Sequence, residues 1–173
     1  MYKQVTPIID YSVRELCCRP YLGHKKGCPN YCYKQGCPPQ AQLFDKVFDL
    51  TQPVFAIYNA FDISSHVKKI MAANPGWSQR QLTCCLYWQN TARKQLTTEL
   101  AYFMITHPDY HVAAAFYKGL DKGLGPLFKR VIPSPPEAMG VEITKTMAGI
   151  GVNLEWPPVN VAYQVALAGM KRV

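Results

Sequence analysis

Five of the seven cysteines of this chain lie in one short segment, between positions 17 and 37. We call residues 17–39 the cysteine-rich segment. It also holds three glycines and four prolines, which interrupt helices and strands and favour turns. Leu22 is its only leucine, isoleucine or valine, so little aliphatic burial can offset the entropy lost on ordering it. The sequence therefore predicts a loop that thiolate–metal bonds help to order.

The rest of the chain predicts a reducing environment for these thiols. The N-terminus lacks the basic-then-apolar order of a signal peptide, and no run of about 18 or more apolar residues occurs. We therefore expect a soluble, cytoplasmic protein that makes no membrane contact. In the cytosol, clustered cysteines more often bind metals or act in catalysis than form disulfides.

The cysteine spacing favours one kind of metal centre. Zinc sites usually use pairs of Cys-x-x-Cys, and this segment contains no such pair. Cysteine followed by proline, as at Cys28 and Cys37, is typical of ferredoxin-type sequences. We predict an iron–sulfur cluster of the [4Fe–4S] type, with zinc as the alternative. The candidate ligands are the five cysteines of the segment: Cys17, Cys18, Cys28, Cys32 and Cys37.

The two remaining cysteines and one histidine are weaker candidates. Cys84 and Cys85 fall inside a predicted helix, where adjacent residues point about 100° apart. We expect Cys85 to be a small core residue with Cys84 near it; the alternative is that one of them supplies a distant fourth ligand. His24 lies beside two lysines and is expected to be exposed, with metal ligation as the alternative.

The remaining patterns predict an α/β or α+β fold, in a single compact domain spanning residues 1–173. We expect a small sheet, one long helix and a cysteine-rich metal-binding loop near the N-terminus. Strands are predicted over 53–63, 110–117 and 159–167. Helices are predicted over 64–74, from Ser78 to about Ile105, and up to about Met147 with a stop at Gly149. A loop is predicted over 118–127 and a short turn near Glu137.

Several short stretches resemble a known family. They are Cys18-Arg19-Pro20, Gly27-Cys28-Pro29-Asn30-Tyr31, Gly36-Cys37-Pro38-Pro39 and, later, Glu137-Ala138-Met139-Gly140-Val141 with Glu155-Trp156-Pro157-Pro158. In this order they resemble an uncharacterised prokaryotic family of predicted metal-binding proteins. That resemblance implies metal binding by Cys18, Cys28 and Cys37, with Cys17 and Cys32 as additional cysteines. The family's second, ferredoxin-like cluster has no counterpart here, because the corresponding region, residues 119–140, contains no cysteine.

Two functions of different classes follow. In the first, Cys18, Cys28 and Cys37 hold a cluster with an open iron for substrate binding, sulfur transfer or redox chemistry, unless Cys17 or Cys32 is a fourth ligand. In the second, a zinc-stabilised module binds nucleic acid, with Tyr21, Tyr31 and Tyr33 stacking on bases. The formal charge of +8 is compatible with a polyanionic partner. A third interpretation is that the segment is a structural relic. The sequence identifies no catalytic residue, substrate or redox partner.

Overall fold

The computed structural model of the protein describes residues 1–20 and 24–172. Within these residues five strands form one sheet: β1 (Tyr2–Val5), β2 (Val54–Asp62), β3 (Tyr110–Ala113), β4 (Val131–Ile132) and β5 (Val161–Met170). Their order across the sheet is β1-β2-β5-β3-β4. Strands β3 and β4 are parallel, and the other neighbouring pairs are antiparallel. The predicted fold class is confirmed as a single compact α+β domain.

The centre of the sheet is the long pairing of β2 with β5, which runs from Phe55 opposite Ala168 to Asp62 opposite Val161. Side chains alternate between the two faces of a strand, and both faces are buried here. Ala56 and Tyr58 belong to the core on one face, whereas Ile57 belongs to the core on the other. Burial on both faces explains why β2 reads as a continuous apolar run.

Helices and irregular chain cover the two faces. The helices are α1 (Phe44–Val47), α2 (Ile63–Ala73), α3 (Gln79–Leu82), α4 (Cys85–Thr106), α5 (Leu120–Leu124) and α6 (Ile143–Ala148). Three 3-10 helices span Tyr11–Cys18, Gly125–Arg130 and Pro136–Met139. Helix α4 packs Leu96, Leu100 and Phe103 on one face of the sheet. The other face is covered mainly by residues 44–48 and 139–152.

The helix predicted to run from Ser78 to about Ile105 is interrupted. Ser78 caps α3 with the predicted capping box, in which Ser78 and Gln81 bond reciprocally. The chain then leaves the helical conformation at Cys84, which is extended, and helix α4 begins at Cys85. The prediction that Cys85 is a core residue is therefore wrong: it is exposed, because the apolar contacts of α4 begin one turn later, at Trp88.

Two further predictions are corrected. The predicted loop over 118–127 contains α5, whose Leu120 and Leu124 are both buried one helical turn apart. Gly123 allows this helix to approach α4, because an added Cβ there would lie 2.6 Å from Thr97 Cγ2. The final strand was expected to be half-exposed, yet residues 166–168 of β5 are buried consecutively because β5 lies between β2 and β3.

Strand β2 and helix α2 are confirmed. Within the described residues, no helix is both long and apolar enough to cross a membrane.

Arg130 closes the carboxyl end of helix α4. Its guanidinium donates to the backbone oxygens of His107, Pro108 and Tyr110 through Nη1 and to that of Met104 through Nη2. Carbonyl groups at a helix end lack partners within the helix, and they attract a cation. One side chain therefore joins α4 to the start of β3.

Replacing Arg130 should weaken the fold more than replacing its neighbour. Arg130→Ala removes these charge-assisted hydrogen bonds and should lower the free energy of unfolding by about 2 kcal/mol. Lys129→Ala, at an adjacent exposed position, should change it by less than about 0.5 kcal/mol. Urea denaturation of both variants measures the difference. Equal losses would show that the guanidinium does not stabilise this helix end.

Candidate metal centre

The cysteine-rich segment is held at both ends by neighbouring chain. Its first two residues, Cys17 and Cys18, end the 3-10 helix Tyr11–Cys18, and residues 25–39 consist mainly of turns and bends. Arg14, on that 3-10 helix, donates through Nη2 to the backbone oxygens of Pro39 and Ala41, at 3.0 Å each. These bonds hold residues 39–41, at the end of the segment, against the 3-10 helix Tyr11–Cys18.

Two glycines allow close backbone contacts that other residues would prevent. Gly27 has φ +82°, and a Cβ there would lie 2.6 Å from the carbonyl oxygen of Cys17. Gly36 has φ +88°, and its Cβ would overlap the carbonyl oxygen of Pro133, just after β4. The first contact joins the two halves of the segment, and the second packs the segment on the sheet domain. Both φ values lie in the region that L-residues with a side chain avoid.

The first contact is completed by a hydrogen bond. The N–H of Cys28 donates to the carbonyl oxygen of Cys17 at 2.7 Å. This bond places the chain around Cys28 against the end of the 3-10 helix, where Cys17 and Cys18 are adjacent. Two parts of the sequence that each carry candidate ligands are therefore brought together by the backbone.

Four thiols interact as one group. Burial raises the pKa of the half-buried Cys17 thiol, and the nearby Cys28, Cys37 and Cys18 raise it further. Burial also raises the pKa of Cys37, with Lys34 opposing the shift and Cys28 adding to it. We call Cys17, Cys18, Cys28 and Cys37 the four-thiol group. It includes all three cysteines carried over from the family resemblance and adds Cys17.

Cys32, the fifth candidate, lies at the edge of this group. It is exposed, and it is the only non-glycine residue in the described chain with a positive φ, of 64°. Its N–H donates to Pro38 O at 3.0 Å, and Gln40 Nε2 donates to its carbonyl at 3.1 Å. Such a conformation costs about 1 kcal/mol or more and is maintained here by these bonds.

Tyr31 connects Cys32 to the four-thiol group. A hydrogen bond with Cys18 raises the pKa of the Tyr31 phenol, and the charges of Cys18 and Cys32 raise it further. The Tyr31 hydroxyl therefore lies near the Cys18 side chain.

Within residues 1–20 and 24–172, no three His, Cys, Asp or Glu side chains are arranged so that they could hold a metal ion. The members of the four-thiol group are neighbours, and they do not converge on one point. Ligation by Cys17, Cys18, Cys28, Cys32 or Cys37 stays a prediction.

Glu137 is a site residue that the sequence pattern did not single out. It lies on the 3-10 helix Pro136–Met139, and its charge contributes to the raised pKa of Cys17. Burial raises the pKa of its own carboxyl group; a hydrogen bond from its backbone N–H opposes this, and Glu142 adds to it. The sequence predicted a turn there and placed Glu137 in a stretch that resembles the metal-binding family, but no linear pattern brings position 137 near position 17.

A basic groove borders the four-thiol group. It has a volume of about 650 Å³ and is lined by Lys25, Lys26, Cys28, Tyr31 and Tyr33, together with His24. Tyr33 is 87% exposed, so its ring is available to a ligand. Tyr21, the third predicted stacking residue, lies outside the described residues.

Cys84 and Cys85 belong to another part of the molecule. Cys85 lines a separate cavity with Trp88 and Trp156, near the start of β5. Cys84 precedes α4 as its N-cap residue. Neither cysteine is among the groups that shift the pKa of Cys17 or Cys37, so nothing in this arrangement favours them as a distant fourth ligand.

No protein-family model matches this chain, and no curated protein or solved structure gives a significant match. The resemblance to a predicted metal-binding family stays a prediction.

The contact between Gly36 and Pro133 can be tested with a matched pair of glycines. Gly36 and Gly151 both have positive φ, but only Gly36 lies against other chain, because nothing is within 4 Å of the Cβ position of Gly151. An alanine costs about 1 kcal/mol at either site for its backbone conformation. Gly36→Ala should cost a further 1 to 3 kcal/mol, roughly, because the segment must move away from Pro133.

Hydrogen–deuterium exchange locates the effect. In Gly36→Ala the amides of residues 25–40 should exchange faster than in wild type, whereas in Gly151→Ala they should keep the wild-type rates. Unchanged exchange of the segment in both variants would mean that it does not depend on packing against the chain after β4.

Proposed function

We propose that Cys17, Cys18, Cys28 and Cys37 hold an iron–sulfur cluster of the [4Fe–4S] type. The four-thiol group is the observation that carries this proposal. The Cys28–Cys17 hydrogen bond and the Gly27 contact bring Cys28 against Cys17 and Cys18, at the end of a 3-10 helix. Cys37 lies near enough for its charge to raise the pKa of Cys17. The Cys-Pro steps at Cys28 and Cys37 favour a cluster over a single zinc ion.

The electrostatics of the group suit a thiolate-bound centre. Crowding and burial hold the Cys17 thiol in its protonated form. A bound centre removes the thiol protons and supplies positive charge among the sulfurs. Lys34 opposes the rise that burial causes in the pKa of Cys37, and Lys25 and Lys26 line the adjacent groove. These cations would offset the negative charge of four thiolates.

Assembly requires the thiols to move inward together. The segment is well suited to such a movement, because its turns contain few ladder hydrogen bonds that a shift would break. Metal binding and ordering of the segment would then be one coupled event. The sheet and α4 have their own cores, so they should stay folded when the segment rearranges.

Cys17 decides which chemistry the cluster would support. With Cys17 as the fourth ligand every iron has a protein thiolate, which favours electron transfer or a structural role. Without it, one iron is open for substrate binding or sulfur transfer. Because Cys17 interacts with three other cysteines, we propose the fully ligated form.

Thiol alkylation can identify the ligands directly. In the anaerobically prepared holoprotein, iodoacetamide should modify Cys32, Cys84 and Cys85, which are outside the four-thiol group. Ligated Cys17, Cys18, Cys28 and Cys37 should be protected. After removal of iron with a chelator, the four protected thiols should become reactive. Peptide mass spectrometry reads out each position separately.

Three outcomes would contradict this assignment. Modification of Cys17 with protection of the other three would indicate an open iron. Protection of Cys32 in place of Cys17 would show that the exposed cysteine moves into the site. Equal reactivity of all seven cysteines before and after chelation would contradict metal ligation.

A zinc-stabilised nucleic-acid-binding module is a second candidate. The groove with Lys25, Lys26, Tyr31 and Tyr33 favours it, because cations and exposed aromatic rings bind single-stranded nucleic acid. The metal differs between the two candidates, and metal analysis therefore separates them.

A further inference from the structure

A second basic cleft lies between helix α4 and residues 116–122. It has a volume of about 690 Å³, within the usual range for small-molecule sites. Its lining includes four basic residues, Arg93, Lys94, Lys118 and Lys122, and one acidic residue, Asp121. The cleft therefore attracts anions.

The four cations have no carboxylate partner among the residues that the structure describes. The ion pairs found there involve the N-terminus, Lys46 and Lys145 instead. Four cations with a single carboxylate, that of Asp121, give this concave surface a net positive charge, which a bound anion would offset.

The wall of the cleft is held in place by Tyr117. Its hydroxyl donates to the backbone oxygen of Arg93 at 2.9 Å and lies 2.8 Å from Thr97 Oγ1. The Arg93 guanidinium lies over the Tyr117 ring, 5.4 Å from its centre. Gly123 lets α5 pack against α4 at Thr97. The turn with Lys118 and helix α5 with Lys122 are therefore fixed relative to helix α4, which carries Arg93 and Lys94.

Phe116 adds a flat apolar surface to the cleft. Its ring is 39% exposed, and it contacts Phe128 with 6.1 Å between the ring centres. Lys34 donates to the backbone oxygen of Phe116 at 3.2 Å, with its Nζ 5.9 Å from the ring centre. An exposed aromatic ring beside a group of cations offers both stacking and phosphate binding to one ligand.

We propose that this cleft binds a phosphate ester of nucleotide size. Lys94, Lys118 and Lys122 contact the phosphates, Arg93 contributes charge from the wall, and the planar ring of the ligand stacks on Phe116. The volume favours a mononucleotide over a polymer, which would need a groove continuing beyond the cleft. The proposal does not depend on the metal centre.

Calorimetric titration of the full chain with adenosine diphosphate tests this site. Adenosine diphosphate should bind, adenosine should bind at least about tenfold more weakly, and added salt should weaken the binding. Lys118→Glu and Lys122→Glu should each reduce the affinity for adenosine diphosphate about tenfold or more. Lys69→Glu, an exposed charge reversal on α2, should leave the affinity unchanged. Phe116→Ala should weaken adenosine diphosphate more than inorganic pyrophosphate.

Other outcomes would overturn the proposal. Failure of adenosine diphosphate to bind at millimolar concentration would do so, as would a loss of affinity in Lys69→Glu as large as that in Lys118→Glu and Lys122→Glu. Binding of a single-stranded oligonucleotide without binding of adenosine diphosphate would also contradict the proposal. Cys17→Ser removes a proposed metal ligand whose pKa Lys34 does not shift, unlike that of Cys37, and it should keep adenosine diphosphate binding. Loss of binding in Cys17→Ser would contradict the independence of the two sites.

Discussion

The hydrogen bond from Cys28 N–H to Cys17 O is the contact on which the candidate centre depends. It can form at 2.7 Å only because Gly27, the preceding residue, has no side chain. This backbone bond holds Cys28 next to Cys17 without requiring a metal. Part of the chain that a metal would have to bring together is therefore already in place, which reduces the entropy that metal binding must overcome.

The sheet domain supplies the support for this arrangement. Gly36 packs on Pro133 after β4, Arg14 bonds to the chain that leaves the segment, and Glu137 reaches Cys17 from the far end of the sequence. The segment contributes little apolar surface of its own. Its position thus depends on a core built elsewhere, by α4 on one face of the sheet and by residues 44–48 and 139–152 on the other.

Local sequence signals predicted the elements whose causes are local. The capping box at Ser78 and the apolar run of β2 are of this kind. The break at Cys84 and the helix α5 depend on tertiary packing, as with Gly123 against Thr97, and no periodic pattern showed them. For the site, the cysteine cluster was evident from the sequence. The place of Cys17 within the four-thiol group, the outer position of Cys32 and the approach of Glu137 required the folded chain.

Metal and sulfide analysis of the anaerobically prepared protein distinguishes an iron–sulfur centre from a zinc site. A cluster held by the four-thiol group would give iron and acid-labile sulfide in equal amounts, with broad absorption near about 400 nm that disappears on chelation of the iron. Stoichiometric zinc without iron or sulfide would contradict an iron–sulfur centre and favour the zinc-stabilised module. Protein that retains neither metal, even after anaerobic reconstitution with iron and sulfide, would contradict metal binding by the cysteine-rich segment altogether.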